Sequence, residues 1–412
     1  MKACFVSLGC PKNLADTEVL MGKLASAGYD ITTKEKAADI FIVNTCAFLK
    51  SARDEAFATI RKLERTGKPV YVAGCLPEYI RKMPSEARQT KFGFRNSDFG
   101  FNTIDSIGLF DCHTPRIKAT PPWTAYVKIS EGCNNHCSYC LIPKIRGKLR
   151  HRQPDDILAE VKMLAKRGVK EIIFIGQDTT AYPGFASLLK RAARIKGVKW
   201  IRIMYANPKT LDKSTINALK TVQKIVKYID LPIQHINDKI LRSMNRPKPD
   251  GKGIINLISS LRRGVPGIAV RSSLIVGFPG ETEKVFNHLL EFVQWAKFER
   301  LGVFEYSREK GTPAAQMRGQ VPGKVKRLRF HKLMSLQNRI SREMNRKLIG
   351  KTFEVLYEGN GFGRTVYDAP AIDCSVRIMP RSAWERLSPG EFVNCKITGS
   401  GAYAVTGRVT SP

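Results

Sequence analysis

The sequence predicts an α/β protein of three parts: an N-terminal parallel βαβ domain, a partial (β/α)6 barrel and a small C-terminal β-barrel. The first observation is that strand-length apolar runs alternate with segments of helical periodicity through most of the chain, which is typical of parallel sheets. The second is that the last 62 residues hold only short apolar runs separated by Gly, Pro and Ser, which is typical of a small β-barrel.

The N-terminal part contains three apolar runs that we interpret as buried strands: KACFVSLGC, DIFIVNTC and PVYVAGC. Helical segments separate them, which indicates parallel βαβ units. Each run ends in a cysteine, at Cys10, Cys46 and Cys75. Because the carboxyl ends of parallel strands share one edge, we expect the three thiols to converge as a cysteine cluster. The alternative is that they are small, buried core residues.

A proline-containing stretch, GLFDCHTPRIKATPPW, predicts a domain boundary near residue 115. We therefore divide the chain into residues 1–115, residues 119–348 and residues 349–412. Cys112 lies in this linker and has no second cysteine at the spacing of a metal site. We expect it to be a free thiol.

The middle part alternates six strand patterns with helical ones, beginning at AYVKIS and ending at LGVFEYS. Six β/α units are fewer than the eight of a closed barrel, so we expect an open partial barrel. The active sites of such barrels lie at the carboxyl ends of the strands. The segment EGCNNHCSYCLIPKIRG follows the first strand directly, in the position where a catalytic metal centre would lie.

Cys133, Cys137 and Cys140 form a CxxxCxxC motif in that segment, and this is the most informative feature of the chain. Closely spaced thiolates favour a soft metal centre. A structural zinc ion would require a fourth ligand, for which His136 is the candidate. A 4Fe–4S cluster with three protein ligands keeps one iron open, and that iron can bind the amino and carboxylate groups of S-adenosylmethionine. The spacing favours such a cluster over zinc or buried structural cysteines.

Glycine and polar residues follow several later strands. In IVGFPGET, Gly277 and Gly280 stand between a strand and a helix, where glycine lets the backbone approach a ligand, and Glu281 favours the helix start. An ordinary strand-to-helix turn is the alternative. Four more polar residues end the second and fourth strands at the predicted mouth of the barrel: Gln177, Asp178, Gln234 and His235. We expect His235 to be a structural residue.

The chain has 412 residues and a formal net charge of +33, with 69 Lys and Arg against 36 Asp and Glu. This charge predicts a polyanionic partner such as RNA, and a basic bias of the whole lineage is the alternative. We find no apolar signal peptide and no transmembrane stretch, so we expect a cytoplasmic protein without membrane contact. In that reducing compartment, ten cysteines indicate metal ligation or redox chemistry and not a disulfide framework.

The basic residues are unevenly distributed along the chain. Residues 324–347 have helical periodicity and contain nine Lys or Arg against one acid, so we expect a basic face toward RNA or solvent. The predicted apolar face of this helix contains Val325, Leu328, Leu333, Leu336, Ile340 and Met344. Residues 351–412 carry a net charge of only about +1, which favours a protein target over a phosphate backbone. Two cysteines of this last part should be core thiols: Cys374 and Cys395.

Seven segments resemble the methylthiotransferase family of radical S-adenosylmethionine enzymes: SLGCPKN, VNTCAF, VAGCLPE, KISEGCNNHCSYCLIPKIRG, LPIQH, IVGFPGETE and FEYSREKGTPA. The resemblance covers essentially the whole chain. That family joins an N-terminal cluster domain, a radical core and a C-terminal TRAM domain. Within it, GQDTTAY, DLPIQH, YSREKGTPA and GRTVYDAPAID are most similar to the RimO-type branch, whose substrate is ribosomal protein S-twelve. Cys374 is a departure, because the branch leads us to expect glycine after AID.

The resemblance implies two 4Fe–4S clusters and S-adenosylmethionine as the cofactors. Two cysteine triads would hold the clusters: Cys133, Cys137 and Cys140 the radical cluster, and Cys10, Cys46 and Cys75 an auxiliary cluster that carries the sulfur. Four further residues would lie near bound S-adenosylmethionine: Tyr139, Gly277, Gly280 and Glu281. The protein itself would supply position and exclusion of water.

The implied activity is the insertion of sulfur and a methyl group at the β-carbon of an aspartate of ribosomal protein S-twelve, free or within the small ribosomal subunit. An electron donor and a sulfur donor are implied as partners. The net charge of +33 leaves open a contact with ribosomal RNA, or a tRNA adenosine as the substrate, as in the other branch of the family. A non-catalytic RNA-binding metalloprotein is the competing class, and zinc without iron would identify it.

Overall fold

A computed structural model describes residues 1–82, 102–104 and 107–410. It contains a parallel sheet, a second and larger parallel sheet, and a closed β-barrel, in that order along the chain. The predicted α/β fold class is therefore confirmed. None of the helices in the described ranges combines the length and the apolar composition needed to cross a membrane.

The first sheet has the strand order β2-β1-β3-β4-β5, and all of its pairs are parallel. Its strands are β1 (Lys2–Ser7), β2 (Asp30–Thr32), β3 (Ile40–Thr45), β4 (Val70–Gly74) and β5 (Asn102–Ile104). Its helices are α1 (Pro11–Ser26), α2 (Lys50–Glu64) and α3 (Cys75–Lys82). The central strand β3 is buried along its whole length, which explains its continuous apolar sequence. The sequence predicted β1, β3 and β4, whereas the three-residue strands β2 and β5 were too short to be predicted.

The second sheet has six parallel strands in sequence order and is open, as predicted. Its strands are β6 (Thr124–Lys128), β9 (Glu171–Ile175), β10 (Trp200–Ile203), β11 (Ile225–Asp230), β12 (Ala269–Val276) and β13 (Arg300–Glu305). A short antiparallel pair, β7 (Ser130–Glu131) and β8 (Arg150–His151), follows the first of them. The helices are α4 (Ile142–Arg146), α5 (Pro154–Lys166), α6 (Phe185–Ala193), α7 (Lys213–Thr221), α8 (Asp238–Ser243), α9 (Gly251–Gly264), α10 (Glu283–Ala296) and α11 (Gly323–Arg346).

The two faces of the six-stranded sheet differ in chemistry. In β10, Ile201 and Ile203 pack into the large apolar core that the helices share with the sheet. Trp200 belongs to a different cluster on the inner face, and Arg202 points the same way, because strand side chains alternate between faces. The inner face therefore carries aromatic and charged side chains.

The C-terminal β-barrel is closed, with the strand order β14-β15-β16-β18-β17. Its strands are β14 (Thr352–Gly359), β15 (Phe362–Arg364), β16 (Ser375–Ile378), β17 (Phe392–Ser400) and β18 (Ala404–Val409), with one short helix, α12 (Arg381–Trp384). Cys395 is fully buried in the core of this barrel, together with Val355 and Ile397. Cys374 is buried as well, so both predicted core thiols are confirmed.

The apolar face predicted for residues 324–347 is wrong at Leu328, whose side chain is 54% exposed on α11. Arg329 is buried instead, and its guanidinium donates to the carboxylate of Glu281 at 2.8 Å. The buried side of the helix continues through Leu333 and Ile340. Leu328 lies about 100° around the helix axis from Arg329, which turns it toward solvent. Seven of the nine basic residues of this segment are exposed and form the basic face of α11.

Buried ion pairs attach the C-terminal barrel to the six-stranded sheet. Glu171, at the start of β9, is fully buried and accepts hydrogen bonds from Arg202 at 2.8 Å and from Arg364 of β15 at 2.6 Å. Burial alone would raise the pKa of Glu171, but the charges of Arg364 and Arg202 hold it at about 2. Arg300 of β13 binds Asp368 at 2.6 Å in the same interface. The position of the barrel thus depends on charges that have no access to water.

Replacing Arg364 with methionine should destabilise the protein by about 3–5 kcal/mol, because the variant leaves a buried carboxylate without its main partner. Arg381→Met is the matched control, since Arg381 lies in the same barrel and pairs with Glu385 at the surface, where ion pairs contribute little. Thermal unfolding of both variants beside the parent protein measures the difference. Equal midpoints for Arg364→Met and Arg381→Met would contradict the role given to this ion pair.

Candidate functional site

A cavity of about 430 Å³ lies between the N-terminal sheet and the carboxyl ends of the barrel strands. Its wall includes Cys10, Cys46 and Cys75, so the three thiols expected to converge do share one site. Each of them follows a parallel strand: Cys10 precedes α1, Cys46 follows β3 and Cys75 begins α3. The opposite wall comes from residues at the ends of β9 to β13. The cavity therefore lies where both parallel sheets present their carboxyl ends.

Two glycines allow the strand ends of the first sheet to approach each other. Gly9, with φ of 101°, precedes Cys10, and a β-carbon there would lie 2.8 Å from Cβ of Cys46. Gly74, with φ of 86°, precedes Cys75, and a β-carbon there would lie 2.5 Å from the carbonyl oxygen of Thr45. Both positions require a left-handed backbone and leave no room for a side chain. The glycines are thus part of what brings the thiols together.

The second triad lies in the loop between β7 and α4, and each of its sulfur atoms accepts a hydrogen bond. The bonds measure 3.4–3.7 Å and run from Asn135 to Cys133, from Ile142 to Cys140 and from Arg246 to Cys137. Asp178, at the end of β9, accepts from the side chain of Asn135 at 2.7 Å. Donors of this kind stabilise thiolates over thiols. Asp178, which follows β9, therefore holds Asn135 beside Cys133 in the cysteine loop.

A mononuclear zinc site does not fit this geometry. Within residues 1–82, 102–104 and 107–410, no three His, Cys, Asp or Glu side chains converge tightly enough to hold one metal ion. His136, the fourth zinc ligand considered from the sequence, is exposed to solvent. A 4Fe–4S cluster takes each thiolate at a different iron, so its ligands stand farther apart than those of a single ion. Three thiolates are nevertheless the donor type that such a cluster takes.

Arg146 connects the two cysteine triads. It ends α4, the helix that follows the second triad, and donates to Sγ of Cys75 from Nε at 3.4 Å and from Nη2 at 3.3 Å. The same guanidinium donates to Glu131 of β7 at 3.1 Å and to Asp16 of α1 at 3.2 Å. Arg146 is buried, as are both carboxylates. One side chain of the barrel is therefore bound to the N-terminal domain at the first triad.

The thiols of the first triad differ in acidity. Burial alone would raise the pKa of Cys10, but the positive charges of Lys12 and Arg146 lower it overall. Burial raises the pKa of Cys46, and it raises that of Cys75 to about 11. In the metal-free protein Cys10 is therefore the most acidic of the three.

The cavity wall also contains strained backbone and a buried lysine. Tyr205 and Gln234 have φ values of 58° and 70°, in the left-handed region that residues other than glycine rarely adopt. Such strain concentrates at functional sites. The ammonium of Lys12 lies 3.2 Å from the centre of the Tyr205 ring. Lys12 lies within the motif SLGCPKN and Arg146 within LIPKIRG, but their residue types alone predicted no role. No sequence pattern indicated Tyr205.

The structure brings Tyr139 next to the turn that contains the glycines of IVGFPGET. Tyr139 lines the cavity, and its ring packs edge-on against Phe278 with the centroids 6.4 Å apart. The buried carboxylate of Glu281 accepts from the backbone N–H of Gly277 at 2.9 Å and from Arg329 at 2.8 Å. Glu281 thus holds the turn in place from within the protein.

Gly280 and His235 complete this region. No described atom lies within 4 Å of the point where a β-carbon of Gly280 would stand, so the turn is open at that residue. His235 is fully buried, its Nδ1 accepts from the backbone N–H of Ile236 at 2.9 Å, and its Nε2 lies 3.3 Å from Glu281. Full burial and the hydrogen bond on Nδ1 agree with the structural role expected for His235, whereas Nε2 makes no hydrogen bond among the described residues.

In the iron-free protein, iodoacetamide at mildly alkaline pH should alkylate Cys10 faster than Cys46, because a lower pKa gives a larger thiolate fraction. The comparison is matched, since both thiols are partly exposed in the same cavity. Peptide mass spectrometry after timed labelling measures the two rates. Similar rates in denaturant serve as the control, and faster labelling of Cys46 in the folded protein would contradict the assignment.

Comparison with known proteins places the three parts of the chain in described families. Residues 2–92 match the family described as Uncharacterized protein family UPF0004. Residues 127–293 match the Radical SAM superfamily, and residues 349–410 match the TRAM domain. A solved structure of the radical S-adenosylmethionine methyltransferase TsrM from Kitasatospora setae covers 90% of this chain, with 82% of its own chain matched. Its TM-score is 0.54 at 13% identity, a similarity that concerns the fold alone.

Similarity to curated proteins extends over the full length. The chain is 42% identical to the ribosomal protein uS12 methylthiotransferase RimO of Pelotomaculum thermopropionicum, over 99% of each chain. It is 43% identical to the RimO protein of Trichlorobacter lovleyi, over 98% of this chain and 96% of that one. Identity at this level over both whole chains confirms the resemblance read from the motifs. The chain belongs to the RimO family of radical S-adenosylmethionine methylthiotransferases.

Proposed function

We propose that this enzyme inserts sulfur and a methyl group at the β-carbon of an aspartate of ribosomal protein uS12, using S-adenosylmethionine and two 4Fe–4S clusters. One observation carries the proposal: a single cavity borders the first cysteine triad on one side and Tyr139 and Ile142, in and beside the second motif, on the other. The thiols of the second triad do not line the cavity themselves, so a substrate side chain there would lie against the first triad and beside the second motif. The RimO relatives are described as ribosomal protein uS12 methylthiotransferases, which supports uS12 as the substrate.

The two triads are the ligand sets that we assign to the clusters. The radical cluster would be held by Cys133, Cys137 and Cys140, and the auxiliary cluster by Cys10, Cys46 and Cys75. Hydrogen-bond donors to the sulfur atoms of both triads support thiolate ligands in both places. When bound, the clusters and S-adenosylmethionine would supply a 5′-deoxyadenosyl radical for hydrogen abstraction, together with the sulfur and the methyl group.

The protein contributes position and exclusion of water. Tyr139, Gly277, Gly280 and Glu281 are the residues that we place beside S-adenosylmethionine. Glu281 acts indirectly in this scheme, since its carboxylate binds the N–H of Gly277 and thereby holds the shape of the turn. The mostly apolar wall of the cavity, with Phe48, Leu49 and Ile275 among its residues, keeps the reacting groups away from bulk water.

Two surfaces are available for the ribosomal partner. The C-terminal barrel is close to neutral and suits a basic protein, whereas the basic face of α11 suits phosphates. We infer that the barrel docks uS12 and that α11 contacts ribosomal RNA when the substrate is in the small subunit. An enzyme acting on uS12 meets it in the cytoplasm, which is where we place this one. An electron donor and a sulfur donor are further required partners.

The reconstituted protein should contain about eight irons, about four per cluster. Replacing Cys133, Cys137 and Cys140 with alanine should leave about four, because the ligands of the auxiliary cluster lie in another domain. Iron analysis combined with circular dichroism measures this, and Cys112→Ala, a partly exposed linker thiol, is the matched control that should keep the full iron content. A folded triple variant without any iron would contradict two separately held clusters.

The substrate assignment is tested by offering the purified enzyme uS12 and tRNA side by side under reducing conditions. Mass spectrometry should find the methylthio group on an aspartate of uS12 and none on tRNA adenosine. Neutralising several exposed lysines and arginines of α11 should flatten the salt dependence of binding to the ribosome, because fewer phosphate contacts release fewer counterions. The same substitutions in α11 should leave the rate at which free uS12 is modified near normal. A methylthiolated adenosine with unmodified uS12 would instead identify a tRNA adenosine methylthiotransferase.

A further inference from the structure

Lys12 lies in the wall of the cavity, and the opposite charges that act on it, those of Cys10, Glu131 and Asp230, do so without a hydrogen bond to its ammonium. It lies in the first turn of α1, two residues after Cys10, and only 8% of its surface is exposed. Its ammonium stands over the ring of Tyr205, 3.2 Å from the ring centre. Among the described residues, no carboxylate, carbonyl or hydroxyl oxygen binds this ammonium. A cation–π contact with Tyr205 is then the direct contact that the ammonium makes.

The contrast with Arg146 shows how unusual this is. Arg146 is the other cation of the cavity wall, and its guanidinium is bound by Asp16 and Glu131. Buried charges in proteins are normally paired in this way, because an unpaired ion in an apolar setting is costly. The cavity wall is rich in aromatic and aliphatic side chains and includes one acid, Glu305, which makes no hydrogen bond to Lys12. Tyr205, beside Lys12, is held in a strained backbone conformation. The site is therefore built to receive an anion.

A second polar atom of the wall also lacks a partner. Nε2 of Gln177 donates to Glu131, while its Oε1 is buried without any hydrogen bond among the described residues. This oxygen can accept from an N–H group of a ligand. The cavity thus offers a cation beside the first cysteine triad and an acceptor on the barrel side. A carboxylate-bearing segment of a polypeptide complements both.

We propose that Lys12 binds the side-chain carboxylate of the aspartate that is modified. The inference rests on the proposed function and adds the residue that selects the substrate. In aspartate the carboxylate is bonded directly to the β-carbon, so an ammonium that holds it also holds the reacting carbon. Lys12 is two residues from Cys10, and it therefore places that carbon beside the triad assigned to sulfur delivery.

The test compares uS12 with a uS12 variant that carries asparagine at the modified position, an uncharged side chain of nearly the same shape. Binding to the cluster-loaded enzyme is measured without reductant, so that no turnover occurs, and methylthiolation is measured with reductant. The parent enzyme should bind the aspartate form about tenfold to hundredfold more tightly. Lys12→Met should lose this preference, and Lys12→Arg should retain part of it.

Lys23→Met is the matched control, because Lys23 lies on the same helix and also stands over an aromatic ring, that of Phe110, away from the cavity. It should keep the full preference for aspartate. Iron content and the spectra of the reduced clusters should be the same in all variants. The KM for S-adenosylmethionine in cleavage without uS12 should also be unchanged, since S-adenosylmethionine carries the other carboxylate that could reach Lys12.

Each other outcome overturns the inference in an identifiable way. A raised KM for S-adenosylmethionine with the aspartate preference intact would assign Lys12 to that carboxylate. Altered iron content or spectra with the preference intact would make Lys12 a charge partner of the thiolates. An unchanged preference in Lys12→Met, with everything else normal, would leave it no role in selection. A parent enzyme that does not modify uS12 would overturn the proposed function and this inference together.

Discussion

The relation between the two cysteine triads depends on the buried guanidinium of Arg146. Its partners on the N-terminal side are Cys75 and Asp16, and its partner on the barrel side is Glu131. Lys128 binds the same two carboxylates, so two cations and two anions form one buried ionic cluster between the domains. Removing one partner of such a group by mutation would leave an uncompensated buried charge and destabilise the contact between the domains. The cavity between the triads has a defined shape for this reason.

The open barrel explains why that cavity lies only at one end. Six strands do not close, and the inner face of the sheet would otherwise be exposed to water. Leu14 and Ala15 of α1 and Val366 and Ala369 of the C-terminal part pack onto this face in one apolar cluster. The flanking domains therefore complete the barrel, and the space that remains open is at the carboxyl ends of the strands.

Several charged residues of the C-terminal barrel are buried and do not contribute to the charge of its surface. Arg364 and Asp368 are buried in ion pairs with the six-stranded sheet, and the carboxylate of Asp373 binds Arg271 there. These charges hold the barrel in place and do not reach a partner. The surface that remains is still far less basic than the exposed side of α11, so the division between a protein-binding and a phosphate-binding surface persists.

The sequence by itself determined the order of the three parts, the six parallel strands of the barrel and the grouping of six cysteines into two triads. Strand alternation, helix periodicity and thiol spacing are local properties and can be read from the sequence. It also indicated that strand-end cysteines meet, since parallel strands share an edge. Only the tertiary structure decided that Leu328 faces solvent, that Arg146 reaches Cys75 and that the ammonium of Lys12 meets an aromatic ring and no oxygen acceptor. Those facts arise because side chains distant in sequence come together in a space without water. A buried polar group that lacks a hydrogen-bond partner there costs free energy, so a missing partner is as informative as a present one.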